Sequence, residues 1–269
     1  MIPILDYHLH TKLCGHAQGE PSEYIHHAIK IGLKEIGFSD HAPLVSHNDP
    51  TLTMNFSQLP EYHKMIEDVR KTYEEDIQVK IGIEADFIPG YENDTKAILE
   101  NYPYDYVIGS VHYVNDWAFD HPHQIQQWKQ KNVNDVYRNY YRLLRESANS
   151  GLFDIMAHVD LVKKFGHRPS DDLSDVVRKT AEIFKKSGVA IEINTSGLRK
   201  PVKEIYPSLK DLKIYCQSGI PCTFGSDAHL PEQVGWEFKQ AVELALAAGY
   251  SEYVVFKNRK IEKTMPLSI

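Results

Sequence analysis

Three imidazoles stand within ILDYHLHTKLCGH, the stretch from Ile4 to His16. In His8-Leu9-His10 the two rings are two residues apart, so an extended chain projects both to one side. The same spacing recurs in Asp227-Ala228-His229. Between these pairs come Asp40-His41 in IGFSDH, Glu84 in VKIGIEAD, His112 in YVIGSVH and His158 in DIMAHVD, each at the end of a short apolar run. Taken singly, a histidine in such a place is more often a hydrogen-bonded structural residue than a ligand. Gathered together, imidazoles and carboxylates lose hydration and need compensating partners, and divalent cations supply them. The donor set is nitrogen and oxygen, which suits zinc, iron or manganese, and a carboxylate can bridge two ions, a role that falls naturally to Glu84. His8, His10, His16, His41, Glu84, His112, His158, Asp227 and His229 make nine candidate ligands. That is too many for one tetrahedral site and about right for two or three ions. Cys14, between His10 and His16, is read as a bystander thiol.

Such a cluster forms only if distant segments end on one face. Short apolar runs predict buried strands at Ile2–Leu5, Glu35–Phe38, Val79–Ile83, Tyr106–Val111, Phe153–Ala157, Val189–Ile193 and Pro221–Phe224. Amphipathic stripes lie between them: Ile25, Ala28 and Ile29; Tyr62, Met65, Ile66, Val69 and Tyr73; Val136, Tyr140, Leu143 and Leu144. Later helices are expected over Ser174–Ser187, Pro207–Ser218 and Pro231–Ala248, each followed by a glycine suited to a left-handed cap: Gly188, Gly219 and Gly249. Strands alternating with helices imply a parallel sheet, and seven or eight such units suggest a closed barrel, whose chemistry gathers at the C-terminal strand ends. Tyr253–Phe256 is either an eighth strand or a peripheral one.

Composition sets the outer limits. A chain of 269 residues with 42% hydrophobic and 25% charged residues can bury a substantial core. No linker, repeat or low-complexity tract marks a boundary, so one domain over residues 1–269 is expected. A net charge of -7 and a pI near 6.0 weigh against a nucleic-acid or anionic-membrane surface. No apolar run approaches the roughly 18 residues of a spanning helix, and the first residues have neither a basic region nor a cleavage site. With three cysteines and no CxxC spacing, a cytoplasmic, reducing setting is expected. The remaining histidines, His26, His27, His47, His63, His121, His123 and His167, are read as surface or substrate-loop residues.

HLHTKLCGH, then SDH, GIEAD, GSVH, AHVD and finally GSDAH, spread from Asp6 to His229, resemble the ordered motifs of the polymerase and histidinol phosphatase (PHP) family. The length, the opening DYHLHTKLCGHA and the stretch EINTSGLRK resemble the stand-alone histidinol-phosphatases more than the polymerase-fused exonuclease modules. The resemblance implies a distorted (β/α)7 TIM-like barrel with three divalent ions (zinc, iron or manganese) per chain. Matched motif to motif, it assigns His8, His10, Glu84 and Asp227 to the first ion, Glu84, His112 and His158 to the second, and His16, His41 and His229 to the third.

The activity implied is hydrolysis of L-histidinol phosphate to L-histidinol and phosphate, in histidine biosynthesis, by a hydroxide bridging the ions. Small phosphate esters, not nucleic acids or membranes, are then the partners. Arg199, after the sixth strand, is a candidate for forking onto the phosphate. Lys163, Lys164 and Arg168 are weaker candidates, Asp160 a candidate proton donor to the leaving group, and Asp116, Trp117 and Asp120 candidates for the ammonium and imidazole of the substrate. Two other readings compete: a nucleotide phosphoesterase or exonuclease of the same family, and a non-enzymatic barrel that ions merely stabilise.

Overall fold

Strands buried on both faces read as nearly continuous apolar runs, and these strands do so because helices cover one side and packed side chains fill the other. The computed structural model describes residues 5–267. It shows β1 (Leu5–Leu9), α1 (Pro21–Lys30), β2 (Glu35–Phe38), α2 (Leu59–Thr72), β3 (Gln78–Asp86), α3 (Glu92–Glu100) and β4 (Tyr106–Ser110). A small hairpin follows, β5 (Tyr113–Val114) and β6 (Trp117–Ala118), before α4 (Val133–Asn149), β7 (Ile155–Met156), α5 (Ser174–Ser187) and β8 (Ala190–Asn194). The chain ends with α6 (Leu209–Gln217), β9 (Cys222–Gly225), α7 (Phe238–Ala248), β10 (Glu252–Lys257) and β11 (Lys260–Pro266).

Seven strands pair in parallel in the order β1-β2-β3-β4-β7-β8-β9. The sheet curls until its edges meet: His10 N donates to Ala228 O at 2.9 Å and Ala228 N to His8 O at 3.0 Å. This makes the expected TIM-like barrel, nearly closed, with the join placed where the two His/Asp-bearing motifs end. Its interior is filled. Tyr7 and Tyr106 stack at 4.5 Å, and Tyr106 Oη donates to Tyr7 O at 2.7 Å. Gly37 and Gly82 make room for that ring, since a Cβ on either would come within 1.9 or 2.4 Å of Tyr106.

Outside, α4 packs on α5, α5 on α6, α6 on α7 and α1 on α2. α5 buries Val177, Thr180, Ala181 and Phe184, a stripe at three- and four-residue spacing, and stops at Gly188 with φ +73°. α4 starts at Asn132, whose side chain accepts from the backbone N–H of Asn134 and Asp135.

Several expected boundaries move. Residues 2–4 of the first predicted strand lie outside the described residues, and β1 runs on through His8. The helix expected over Pro231–Ala248 begins only at Phe238, after a 3-10 turn at Pro231–Gln233. Gly235 turns at φ +64° to donate its N–H to Asp6 Oδ2 at 2.8 Å, which a continuous helix would not allow. The helix expected from Pro207 starts at Leu209, capped by Ser208 Oγ. Ile29 is 38% exposed and does not share the buried stripe of α1. Tyr253–Phe256 belongs to β10, which pairs antiparallel with β11 outside the barrel. Phe256 N donates to Tyr7 Oη at 3.1 Å and Arg259 N to Asp105 O at 2.8 Å, so this hairpin crosses the barrel floor. Among the described residues no helix is long and apolar enough to cross a membrane.

Candidate metal centre and its cavity

Because every barrel strand runs the same way, the residues just beyond the strand ends converge at one rim. Glu84, near the end of β3 and 2% exposed, is the hub. Its carboxylate oxygens lie 3.1 Å from His8 Nε2, 3.0 Å from His41 Nδ1, 3.3 Å from His158 Nε2, 3.7 Å from His10 Nε2 and 3.9 Å from His112 Nε2. Asp227 Oδ1 stands 3.2 Å from His10 Nε2, and His229 Nε2 faces His16 Nε2 at 3.0 Å. All nine residues singled out by sequence are thus brought together.

The other ring nitrogens are held from behind. Glu192 Oε1 is 2.6 Å from His8 Nδ1, Asp40 Oδ1 3.3 Å from His10 Nδ1, Asp86 Oδ1 2.8 Å from His112 Nδ1, and Cys14 O 2.9 Å from His16 Nδ1. Ser110 Oγ and Thr11 Oγ1 donate to Glu84 and Asp40. A carboxylate or carbonyl behind an imidazole fixes its tautomer and aims the opposite nitrogen, the arrangement found behind metal-ligating histidines.

The aimed atoms have no adequate protein partner. His8 Nε2, His10 Nε2 and Glu84 Oε2 are buried without a hydrogen bond. Two imidazole nitrogens 3.0 Å apart also need a proton or a cation between them. Donors about 2.1 Å from one tetrahedral ion stand roughly 3.4 Å from each other. The separations here, 3.0 to 3.9 Å, bracket that value. Ligand-type atoms within 4.8 Å of one another form the sets His8/His10/Asp227, Glu84/His112/His158, His10/His41/His229, Cys14/His16/His229 and His10/Cys14/Asp40. The residues therefore fit a cluster of divalent cations. Cys14 reaches the edge of the fourth and fifth of these groupings, but its thiol donates to Thr11 O at 3.2 Å and burial pushes its pKa up.

Proton affinities in the cluster are driven far apart. Burial alone would neutralise Glu84, yet the rings of His41 and His8 outweigh it and hold the carboxyl well below its usual range. Asp227 is held down likewise, against burial, by His8 and His10. His8 resists burial through Glu192 and Glu84 and rises well above the ordinary imidazole value. His16 falls to about 4 through burial and the neighbouring His41 and His10, and His229 is held well below its ordinary value by burial and the neighbouring His10. Two site residues also sit in the left-handed backbone region, His158 at φ +22° and Asp227 at φ +53°. Non-glycine residues there cost about 1–3 kcal/mol each and concentrate at functional sites.

A cavity of about 600 Å³ opens above the cluster, lined by seven of the nine residues; His8 and His10 lie fully buried beneath it. Arg199 lines it too. Its Nη2 donates to Ser226 O at 2.7 Å and Asp227 O at 3.0 Å, while Nη1 is buried without a partner. Lys164 and Lys200 share this wall. Lys163 does not: it is 1% exposed and tied to Asp160 at 2.7 Å, Glu204 at 2.9 Å and Ile205 O at 2.8 Å. Asp160, expected as a proton donor, spends its Oδ2 on Lys163 and Ser208 N and lies outside the cavity wall. Arg168 is exposed and paired with Glu204.

Of the loop candidates only Asp120 faces the cavity. Trp117 is buried against Trp128, and Asp116 lines a separate groove with His47 and Arg142. His121 lines the cavity as a substrate-loop residue would. His63 is a correction: it is 7% exposed and stacks on Tyr102 at 4.0 Å, because α2 turns it into the core. Sequence reading missed Glu192, Asp86 and the supporting part of Asp40. The available signal was an acidic residue inside an apolar strand, as in AIEIN.

The PHP domain profile matches residues 6–196 and a PHP-associated profile residues 211–236. A probable histidinol-phosphatase of Deinococcus radiodurans is 40% identical over 262 residues, covering 97% of this chain and 100% of the relative. A histidinol-phosphatase of Bacillus subtilis is 30% identical over 88% of this chain and 98% of its own. The crystal structure of histidinol phosphate phosphatase from Lactococcus lactis, complexed with zinc, L-histidinol and phosphate, superposes with a TM-score of 0.84 at 24% identity, covering 96% of this chain and 98% of that one. That likeness establishes the shared barrel.

Proposed function

Since the chain belongs to the PHP domain family, we propose that it is a metal-dependent phosphomonoesterase, a histidinol-phosphatase that converts L-histidinol phosphate and water to L-histidinol and phosphate. The observation that carries this reading is the convergence of nine ligand-type residues, with orphaned nitrogens aimed inward, beside a wall bearing Arg199, Lys164 and Lys200. His8, His10, Glu84 and Asp227 would hold one ion, Glu84, His112 and His158 a second, and His16, His41 and His229 a third. Zinc is the ion in the Lactococcus lactis relative, and the donor set suits iron and manganese equally. Divalent ions in such a site acidify a water and neutralise phosphate oxygens.

The chain's own groups do the rest. Glu192, Asp40 and Asp86 hold the rings of His8, His10 and His112 so that they do not reorganise during reaction. Arg199 Nη1 is free to donate to a phosphate oxygen, while Nη2, fixed on two carbonyls, sets its direction. The filled barrel beneath excludes bulk water from that side. The whole chain is taken as one catalytic domain. Its three free cysteines fit a reducing compartment, and we assign the cytoplasm.

The test is phosphate release from L-histidinol phosphate by metal-loaded protein, abolished by Glu84→Ala or His229→Ala. Metal-replete protein that cleaves nucleotides or oligonucleotides but releases nothing from L-histidinol phosphate would overturn the substrate assignment.

A further inference from the structure

Four carboxylates line the cavity: Glu84, Asp86, Asp120 and Asp227. Three serve the imidazole cluster, Glu84 and Asp227 directly and Asp86 through His112. Asp120 does not. Its Oδ2 accepts from the ammonium of Lys164 at 2.8 Å, with both side chains only 15–16% exposed. Burial would raise the Asp120 pKa, but Lys164 and His112 outweigh it and bring it to about 2, so the group is ionised at neutral pH. The same cavity offers Leu44, Leu52, Leu161, Pro122 and the ring of Tyr113 as apolar surface.

We propose that Asp120 selects phosphate esters of amino alcohols, the ammonium of the substrate taking the seat that the ammonium of Lys164 fills in the free protein. The inference rests on the phosphomonoesterase reading and deepens it by naming what the site discriminates. An ammonium already seated on this carboxylate shows that the geometry accepts one. Exchanging one ammonium for another leaves Asp120 paired throughout, which avoids the large cost of stranding a buried charge. The displaced Lys164 stays in a cavity that then holds a phosphate dianion, so its own charge is met. An ester without an amine cannot make the exchange.

The experiment uses the metal-loaded full chain with L-histidinol phosphate and its desamino analogue. In Asp120→Asn the ratio of kcat/KM for the amine-bearing ester to that for the desamino ester falls at least tenfold, and calorimetry shows weaker binding of L-histidinol. In Lys164→Met, L-histidinol, which carries the amine but no phosphate, binds more tightly because its competitor is gone. Equal losses on both esters in Asp120→Asn, or weaker L-histidinol binding in Lys164→Met, overturn the proposal. If Asp120→Asn does not fold, the Lys164→Met binding measurement decides alone. Wild-type protein that cleaves both esters without preference defeats the role of Asp120 and leaves the phosphomonoesterase reading standing; wild-type protein that cleaves neither defeats that reading first.

Discussion

Glu192→Gln changes one charge and one acceptor behind His8 while keeping the volume of the side chain. The native carboxylate has no contact with the cavity: Oε1 is 2.6 Å from His8 Nδ1, and Oε2 accepts from His158 N at 3.1 Å and Asn194 Nδ2 at 2.9 Å. It therefore fixes the ring of His8 and the backbone of His158 together. A hydrogen bond to a charged group contributes about 1.5–3 kcal/mol. At about 1.4 kcal/mol per tenfold, weakening that bond corresponds to roughly tenfold to hundredfold in ion affinity, the range typical of outer carboxylates behind ligating imidazoles. Dialysis against graded chelator followed by elemental analysis reads the affinity directly, and turnover recovers when excess metal is returned, since the ligands themselves remain. Gly225→Ala attacks the same contact sterically, because its Cβ would sit 1.9 Å from Glu192 Oε1 and 2.7 Å from His8 Cβ. Wild-type metal retention in both variants would refute the reasoning.

Removing metal with a chelator lowers the melting temperature, because the crowded rings lose the cations that offset their burial; an unchanged melting curve would count against ion binding. Arg199→Ala lowers kcat/KM for the phosphate ester by at least tenfold while metal content holds, as measured by kinetics beside elemental analysis. His63, buried on Tyr102 and held at about 4 by burial, binds fewer protons folded than unfolded between that value and its ordinary 6.5. Stability is therefore full above pH 6.5 and declines as pH falls toward 4, by up to about 3 kcal/mol at 1.36 kcal/mol per unit. Denaturant titrations of His63→Phe across this range show a shallower decline.

The nine clustered residues were legible because a parallel barrel converts a one-dimensional regularity, a polar ligand-type residue after each apolar run, into a common rim. Arg199 was legible for the same reason, lying just past β8. Lys163 and Asp160 misled because adjacency along the chain says nothing about direction: the turn after β7 points them at each other and at Glu204, away from the cavity. Glu192 and Asp86 were hidden because a supporting carboxylate acts across strands, and its partner ring lies 184 residues away for Glu192. The break before α7 was invisible because it depends on Asp6 accepting from Gly235, a contact no local pattern encodes.

The stacked tyrosines that fill the barrel, with the β10–β11 hairpin drawn across its floor, close the cavity from below, so among the described residues it opens at the rim of the barrel. Reactant and both products then share that opening. The phosphomonoesterase reading puts phosphate against the cluster and the alcohol nearer the mouth, so ordered departure, alcohol first, is the expected outcome. Inorganic phosphate then competes with incoming ester, whereas the alcohol inhibits noncompetitively, and product-inhibition patterns of the opposite kind would mean a second exit exists.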